Sequence, residues 1–406
     1  MKLLKITTLY HSYLKDFYGK RPGLAEKSYL EQKAALDYDS FGWADYWSHA
    51  LVPLGYDATE LTINAELLQR AWARENLSSK NAAKIGLDEI ALEQAKKFRP
   101  DILWFDDTNE ALLKRIKSEV PSIRLVLGWT GSAIPKTNAW HQMDLILSCA
   151  QESVDCLRGK GFRAEQLHHG FDPRIISRLK NNPKQIDISF IGQVVRARNF
   201  HFVREAILEK LCTEMNIKIF SPSADLTFID DFKAILGKGL YSFMQSLMSL
   251  GMPQEILGNI PVIGRAAYWT ESPMLPVNRS LKPFISQPVF GLEMFQVIHD
   301  SKLTLNIHAD SSPRYASNMR LFETTGVGTC MVTDWKENLS ELFELDKEVV
   351  AYKTIDECVE KVRWLLEHPE EREGIARAGQ RRTLKEHTFM HRAVRLDEII
   401  RKELSS

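Results

Sequence analysis

The chain has 406 residues, 44% hydrophobic and 26% charged, an ordinary balance for a globular protein with more than one core. Lysine plus arginine and aspartate plus glutamate both total 53, so no global field gathers nucleic acid or an anionic membrane. Five scattered cysteines without a CxxC pair read as reduced thiols in a cytoplasmic compartment. No apolar run reaches the length of about 18 residues that spans a bilayer, which leaves peripheral membrane contact open.

The opening residues superficially resemble a signal peptide. Lys5 interrupts them and no small-residue cleavage site follows, so 3–9 reads as a first β-strand. From there short apolar runs alternate with amphipathic stretches, the rhythm of a parallel sheet covered by helices. A helix is predicted over 43–52, closed by Pro53 and Gly55, then a strand over 57–63. Residues 87–98 have helical spacing. Pro100 separates them from Asp101-Ile102-Leu103-Trp104-Phe105-Asp106, a buried strand with acids at its end. A helix over 109–118, strands over 124–129 and 144–148, and a helix over 151–158 follow.

The polar, turn-rich Asn181-Asn182-Pro183-Lys184-Gln185 reads as a linker. Asp187-Ile188-Ser189-Phe190-Ile191-Gly192 then restarts the sheet pattern, followed by Arg196, Arg198, a helix through Leu211 and a strand over 217–220. Residues 225–286 are rich in Met and Gly and broken by Pro273, Pro276 and Pro283, which predicts helix plus long loops. Next come a helix over 291–299, a strand over 303–308, and a helix over 317–325 closed by Gly326 as a left-handed cap. A strand over 329–333 follows. A later helix carries the stripe Cys358, Val359, Val362, Leu365 and Leu366, and Pro369-Glu370-Glu371 opens another. Two successive α/β units are the simplest account.

Residues 289–400 contain a distinctive series of blocks. They are Phe290-Gly291-Leu292-Glu293, Leu305-Asn306-Ile307-His308, Ser317-Asn318-Met319-Arg320-Leu321-Phe322-Glu323-Thr324-Thr325-Gly326, Val332-Thr333-Asp334 and Pro369-Glu370-Glu371-Arg372. In this order and spacing they resemble the C-terminal half of CgeB-like (spore-protein type) glycosyltransferases, relatives of the large retaining GT-B families. The resemblance implies an α/β GT-B fold, two facing Rossmann-like domains with the active site in the interdomain cleft. Residues 1–183 would hold the acceptor and 184–388 the nucleotide sugar, with 389–406 crossing back as a helix onto the first domain. The implied activity moves a sugar, with retention, from a nucleotide-diphosphate-sugar donor to a glycan, lipid-linked or protein acceptor, as in polysaccharide biosynthesis. No cofactor, metal or nucleic acid is expected. A GT-B-shaped epimerase and a non-catalytic nucleotide-sugar-binding module are the alternatives.

Such a site must hold a ribose, neutralise a departing diphosphate and stabilise an oxocarbenium-like centre. The resemblance gives Glu323 the ribose hydroxyls. Asn318 and Arg320 begin the same predicted helix, where free N–H groups and the dipole favour an anion. Gly192, Arg196 and Arg198 follow the first strand of the second unit, where a parallel sheet carries its ligand loops. They form no GxGxxG fingerprint, so no dinucleotide cofactor is implied. Many retaining relatives carry a Glu eight positions before the ribose acid; this sequence has Tyr315 there. In the first unit, Asp106 at a strand end and His169 are the candidate bases for an acceptor hydroxyl. Glu293 and His141 are further polar candidates. Neither the triplet Asp37-Tyr38-Asp39 nor the pair His387 and His391 predicts a metal site. Tyr10, Tyr13, Phe17 and Tyr18 suit either sugar stacking or core packing.

Overall fold

The computed structural model describes residues 1–405 apart from 79–81, 83, 132, 195–201, 227, 270, 271, 274 and 276. Its strands form two six-stranded sheets. The first holds β1 (Lys2–Thr7), β2 (Asp57–Thr62), β3 (Ile102–Phe105), β4 (Leu125–Thr130), β5 (Leu145–Ser148) and β6 (Ala164–Gln166), ordered β2-β1-β3-β4-β5-β6. The second holds β7 (Ile186–Ile191), β8 (Ile217–Phe220), β9 (Ile285–Ser286), β10 (Ser301–Asn306), β11 (Cys330–Asp334) and β12 (Val350–Tyr352), ordered β12-β11-β10-β7-β8-β9. Every pairing is parallel. Helices cover both faces of such a sheet, so its inner strands are continuous apolar runs, as in the Ile-Leu-Trp-Phe of β3. The two facing Rossmann-like sheets expected from the sequence are the observed architecture.

The helices of the first half are α1 (His11–Gly19), α2 (Tyr29–Asp39), α3 (Tyr46–Leu51), α4 (Glu66–Asn76), α5 (Leu87–Phe98), α6 (Glu110–Glu119) and α7 (Gln151–Gly159). Those of the second are α8 (Phe202–Glu214), α9 (Phe228–Ser249), α10 (Gln254–Gly258), α11 (Gly291–His299), α12 (Arg320–Gly326), α13 (Leu339–Leu342), α14 (Ile355–Glu367), α15 (Pro369–Glu386) and α16 (Phe389–Ser405). Local chemistry sets several starts. Ser28 and Glu31 form a capping box on α2, and the Asn109 and Thr354 side chains accept N–H bonds at the heads of α6 and α14.

Two expectations near residue 320 need correction. Helix α12 begins at Arg320, so Ser317 to Met319 are its lead-in loop. Gly326 is also the last residue of that helix, and the left-handed glycine is Gly328, at φ 82°. A β-carbon on Gly326 would lie 2.3 Å from the Phe171 ring, so this glycine permits close packing and does not turn the chain.

Phe171 stands where the chain crosses between the sheets. Its N–H donates to the His387 carbonyl at 2.9 Å, and the Phe389 N–H donates back to its carbonyl at 3.0 Å. Helix α16 then runs along the first sheet's side. The Phe389 ring lies 4.8 Å from that of Tyr46, and the Tyr56 hydroxyl donates to Asp397 at 2.7 Å. Two further ties fix the gap between the sheets. Glu152 in α7 accepts from the backbone N–H groups of Arg314 and Tyr315, both at 2.9 Å. Lys20 pairs with Glu293 at 2.6 Å.

Candidate active site

In a parallel sheet the connections diverge on either side of one strand pair, leaving a crevice beyond the carboxyl ends. The strand orders put that point between β1 and β3 in the first sheet and between β7 and β10 in the second. A cavity of about 500 Å³ lies between the sheets at these edges. One wall carries Thr8 to Tyr10 after β1, with Phe41, Trp43, Trp129, Gly131 and His169. The other carries Phe190 to Gly192 at the end of β7, Leu305 to Ile307 at the end of β10, Arg204, and Ser317 to Arg320 with Glu323.

On the second wall, Glu323 sits in the first turn of α12 and is buried. Its carboxylate pairs with Arg320 at 2.8 Å, while burial holds its acidity below that of an ordinary glutamate and Arg320 opposes the effect. The Asn318 amide donates to the Asn306 side chain at 2.6 Å, and Asn306 in turn donates to Thr333 at 2.9 Å. The Asn318 Oδ1 atom is buried and has no partner among the described residues. Gly192 closes β7, its N–H bonded to the Phe220 carbonyl at 3.1 Å. Arg196 and Arg198 lie outside the described residues.

Arg204 was not singled out by the sequence reading. It lies in the first turn of α8 and is buried on the cavity wall, its guanidinium donating to the carbonyls of Gln193 at 2.9 Å and Ile307 at 2.8 Å. Desolvation lowers its pKa to about 10, which leaves it charged at neutral pH. A sequence signal existed. Arg204 shares helical register with the buried Leu208 and Leu211, and a charge in an apolar stripe needs a partner or a ligand.

The first wall is aromatic and uncharged. Trp43 lies edge-on to Trp129 at 5.0 Å and tilted over His169 at 5.3 Å. Burial, with smaller contributions from His168, Arg392 and Lys5, lowers the His169 pKa to about 3. At neutral pH this imidazole is therefore neutral and a poor proton acceptor, contrary to the general-base role expected of it. Its Nδ1 has no partner among the described residues.

The base role expected of Asp106 also meets a competing geometry. Asp106 is not among the residues lining the cavity. Its Oδ2 accepts from Trp43 Nε1 at 2.9 Å, Thr7 Oγ1 at 3.1 Å and Lys5 Nζ at 3.3 Å. Lys5 itself is fully buried, with its ammonium 4.1 Å from the Trp104 ring and 4.6 Å from that of Trp43. This carboxylate anchors the aromatic wall from beneath.

The remaining candidates scatter. Glu293 is half-exposed and occupied by Lys20. Tyr315 presents its N–H to Glu152 and is absent from the cavity lining. His141 packs against Phe162, away from the cleft. Asp37 pairs with Lys33, while Asp39 takes Tyr13 and Arg21 and fits against Gly291, whose missing β-carbon leaves the room. His387 bonds the Leu342 carbonyl. No group of acids, histidines and cysteines suited to a metal occurs among the described residues. Tyr13 and Phe17 are core, whereas Tyr10 is 70% exposed at the cavity rim.

Two facing parallel α/β sheets with a cavity between their carboxyl edges define the GT-B glycosyltransferase fold, and that is the fold of this chain. Residues 242–398, less than half of the chain, match the family model described as glycosyl transferase-like. No curated protein matches the chain in sequence. Among solved structures, Anabaena Alr3699/HepE in complex with UDP and glucose superposes with a TM-score of 0.52 at 12% identity, covering 99% of this chain and 100% of that one. AviGT4, a glycosyltransferase involved in avilamycin A biosynthesis, gives 0.51 at 12% identity, covering 100% and 98%. Sucrose-phosphate synthase of Thermosynechococcus elongatus gives 0.51 at 8%, covering 100% and 99%. Similarity at these identities establishes the shared fold.

Proposed function

We propose that the protein is a glycosyltransferase that takes a sugar from a nucleoside-diphosphate donor bound in the cleft and passes it to a glycan, lipid-linked or protein hydroxyl. One observation carries the reading. The second wall gathers two arginines, a carboxylate and two carboxamides at a topological switch point, facing a neutral aromatic wall that suits a sugar ring. Complexes of HepE with UDP and with UDP-glucose support a nucleotide-sugar donor for the same fold. The block order over 289–400 further favours the CgeB-like branch, and five unpaired cysteines, one of them exposed, favour a reducing, cytoplasmic setting.

In this reading Arg204 and Arg320 neutralise the diphosphate, Asn318 and the Gly192 loop line its path, and Glu323 accepts from the ribose hydroxyls. Arg196 and Arg198, which follow Gly192 in the sequence, add positive charge in this reading. His169 donates or accepts one hydrogen bond with the sugar. The C1–O bond to the diphosphate breaks as the acceptor oxygen bonds C1. With a neutral first wall, the acceptor proton passes to the departing phosphate oxygen on the same face, which retains the anomeric configuration. No metal or organic cofactor takes part.

The test is calorimetric titration of nucleoside diphosphates into the parent and Glu323→Ala. A hydrogen bond to a charged group contributes roughly 1.5–3 kcal/mol, so affinity should fall about 10- to 150-fold with the fold intact. Equal affinities would remove Glu323 from the ribose. Proton NMR of the product anomer then reports the stereochemistry, and an inverted product would defeat the same-face transfer.

A further inference from the structure

Between β8 and β9 the chain leaves the second sheet for a helical insertion built on α9 and α10. It departs from the carboxyl end of β8, the same edge that faces the cleft. The insertion has its own small core. Met244, Leu257, Ala266 and Ala267 are buried together, with Leu240, Leu247, Met248, Ile260 and Ile263 packed around them. Lys282 pins its start through Asp231 at 2.6 Å.

With that inner face satisfied, the outward face should be polar, yet it is not. Phe232, Ile235, Leu236, Phe243 and Leu250 recur at helical spacing on one side of α9 and its exit turn, and all are exposed, Leu236 at 62% and Leu250 at 81%. Met252, Ile256 and Val262 extend the exposed apolar surface beyond the helix. Charge follows a matching pattern. From Phe232 to Gln254 the only charged residues are Lys233 and Lys238, both exposed and on opposite flanks of the stripe, although the whole chain is electrically balanced. The helix is no membrane span, since no helix among the described residues is long and apolar enough to cross a bilayer.

We infer that this insertion docks the protein on an anionic phospholipid surface. An outward apolar stripe flanked by lysines, with no acid from Phe232 to Leu250 and Glu255 beside its extension, is the composition of a helix lying in the interface plane. Its side chains enter the acyl boundary and its lysines reach the phosphates. Charge complementarity selects the bilayer over a second copy, because pairing two such faces would bring like charges together.

Co-sedimentation of the full chain with phosphatidylcholine vesicles, with and without phosphatidylglycerol, tests this, with light scattering to report oligomeric state. The protein should pellet with the anionic vesicles and remain largely in solution with the neutral ones. Leu236→Glu/Phe243→Glu should reduce the partition coefficient at least about tenfold, since both positions are exposed and a charge there opposes insertion. Lys233→Ser and Lys238→Ser should each reduce it about fivefold at low salt, from roughly 1 kcal/mol per basic residue near such a surface. Circular dichroism checks that each variant folds. Vesicle binding unchanged in folded variants, no binding by the parent, or a parent dimer that the glutamate variant dissociates without any vesicle binding would each overturn the inference.

Discussion

The two walls of the cleft are built by sheets of the same size and strand direction, yet their chemistry is opposite. The first exposes indole, phenol and a neutral imidazole; the second exposes Arg204, Arg320, Glu323 and the paired carboxamides of Asn306 and Asn318. The difference comes from where each side keeps its charges. On the first, Lys5 and Asp106 satisfy each other below the surface and hold Trp43 in place. On the second, charge comes up to the cavity. This division suits the proposed nucleotide-sugar donor, because stacking needs a dry ring face and a leaving phosphate needs fixed cations.

The sharpest way to break this contrast is to remove charge from the second wall. Arg204→Ala should lower kcat/KM about 10²- to 10³-fold, the scale of losing one preorganised electrostatic contact, while Arg204→Lys should recover part of it. Binding assays should show nucleoside diphosphate affinity falling and nucleoside affinity almost unchanged. Equal losses for both ligands would mean that Arg204 only supports the loop.

Acid probes the buried neutral imidazoles, of which His169 lines the first wall and His387 packs on Phe322 and Phe343 of the second unit. His168 and His387 have pKa values lowered to about 4 and His169 to about 3, in each case chiefly by burial, from an ordinary 6.5. Each folded value is depressed, so below pH 6.5 the unfolded chain binds more protons. The stability tied to the neutral rings is complete above that pH and is lost as the pH falls from 6.5 towards 3. Each histidine contributes a slope of up to about 1.4 kcal/mol per pH unit. Thermal denaturation followed between pH 7.5 and 4.5 should show Tm dropping over this window, less steeply in His387→Gln. A flat profile would mean the rings are not held neutral. The smallest expected effect is at the rim. Tyr10→Ala should raise acceptor KM a few-fold, in line with about 0.5–1.5 kcal/mol for an aromatic contact, and leave nucleotide affinity alone. A shift in nucleotide affinity instead would show that the walls do not divide the substrates.

The alternation of apolar runs and amphipathic stretches made the fold class legible, because strands buried on both faces must be written as continuous apolar segments. Helices α1, α2 and α4 escaped the reading; α2 has its apolar positions spread among polar ones, whereas α4 carried a legible stripe in Leu68, Ala71 and Trp72. Near the cleft, motif order drew attention to Gly192, Asn318, Arg320 and Glu323, and proximity to strand ends to His169, all of which line the cavity. It could not show that Arg204 joins them or that Asp106 does not.

What the sequence determined alone was therefore periodic: two parallel sheets, their longer strands and helices, and the strand-end loops that border the cavity, whereas the short β6, β9 and β12 carry too few residues to show a period. What only the tertiary structure decided was the state of each side chain. Asp106 is engaged by Lys5, Thr7 and Trp43, residues up to 101 positions away, and Glu152 reaches Tyr315 across 163. The physical reason is range. Backbone patterning acts over a few residues along the chain, whereas burial, ion pairing and pKa depend on which distant segments the fold brings within a few ångströms.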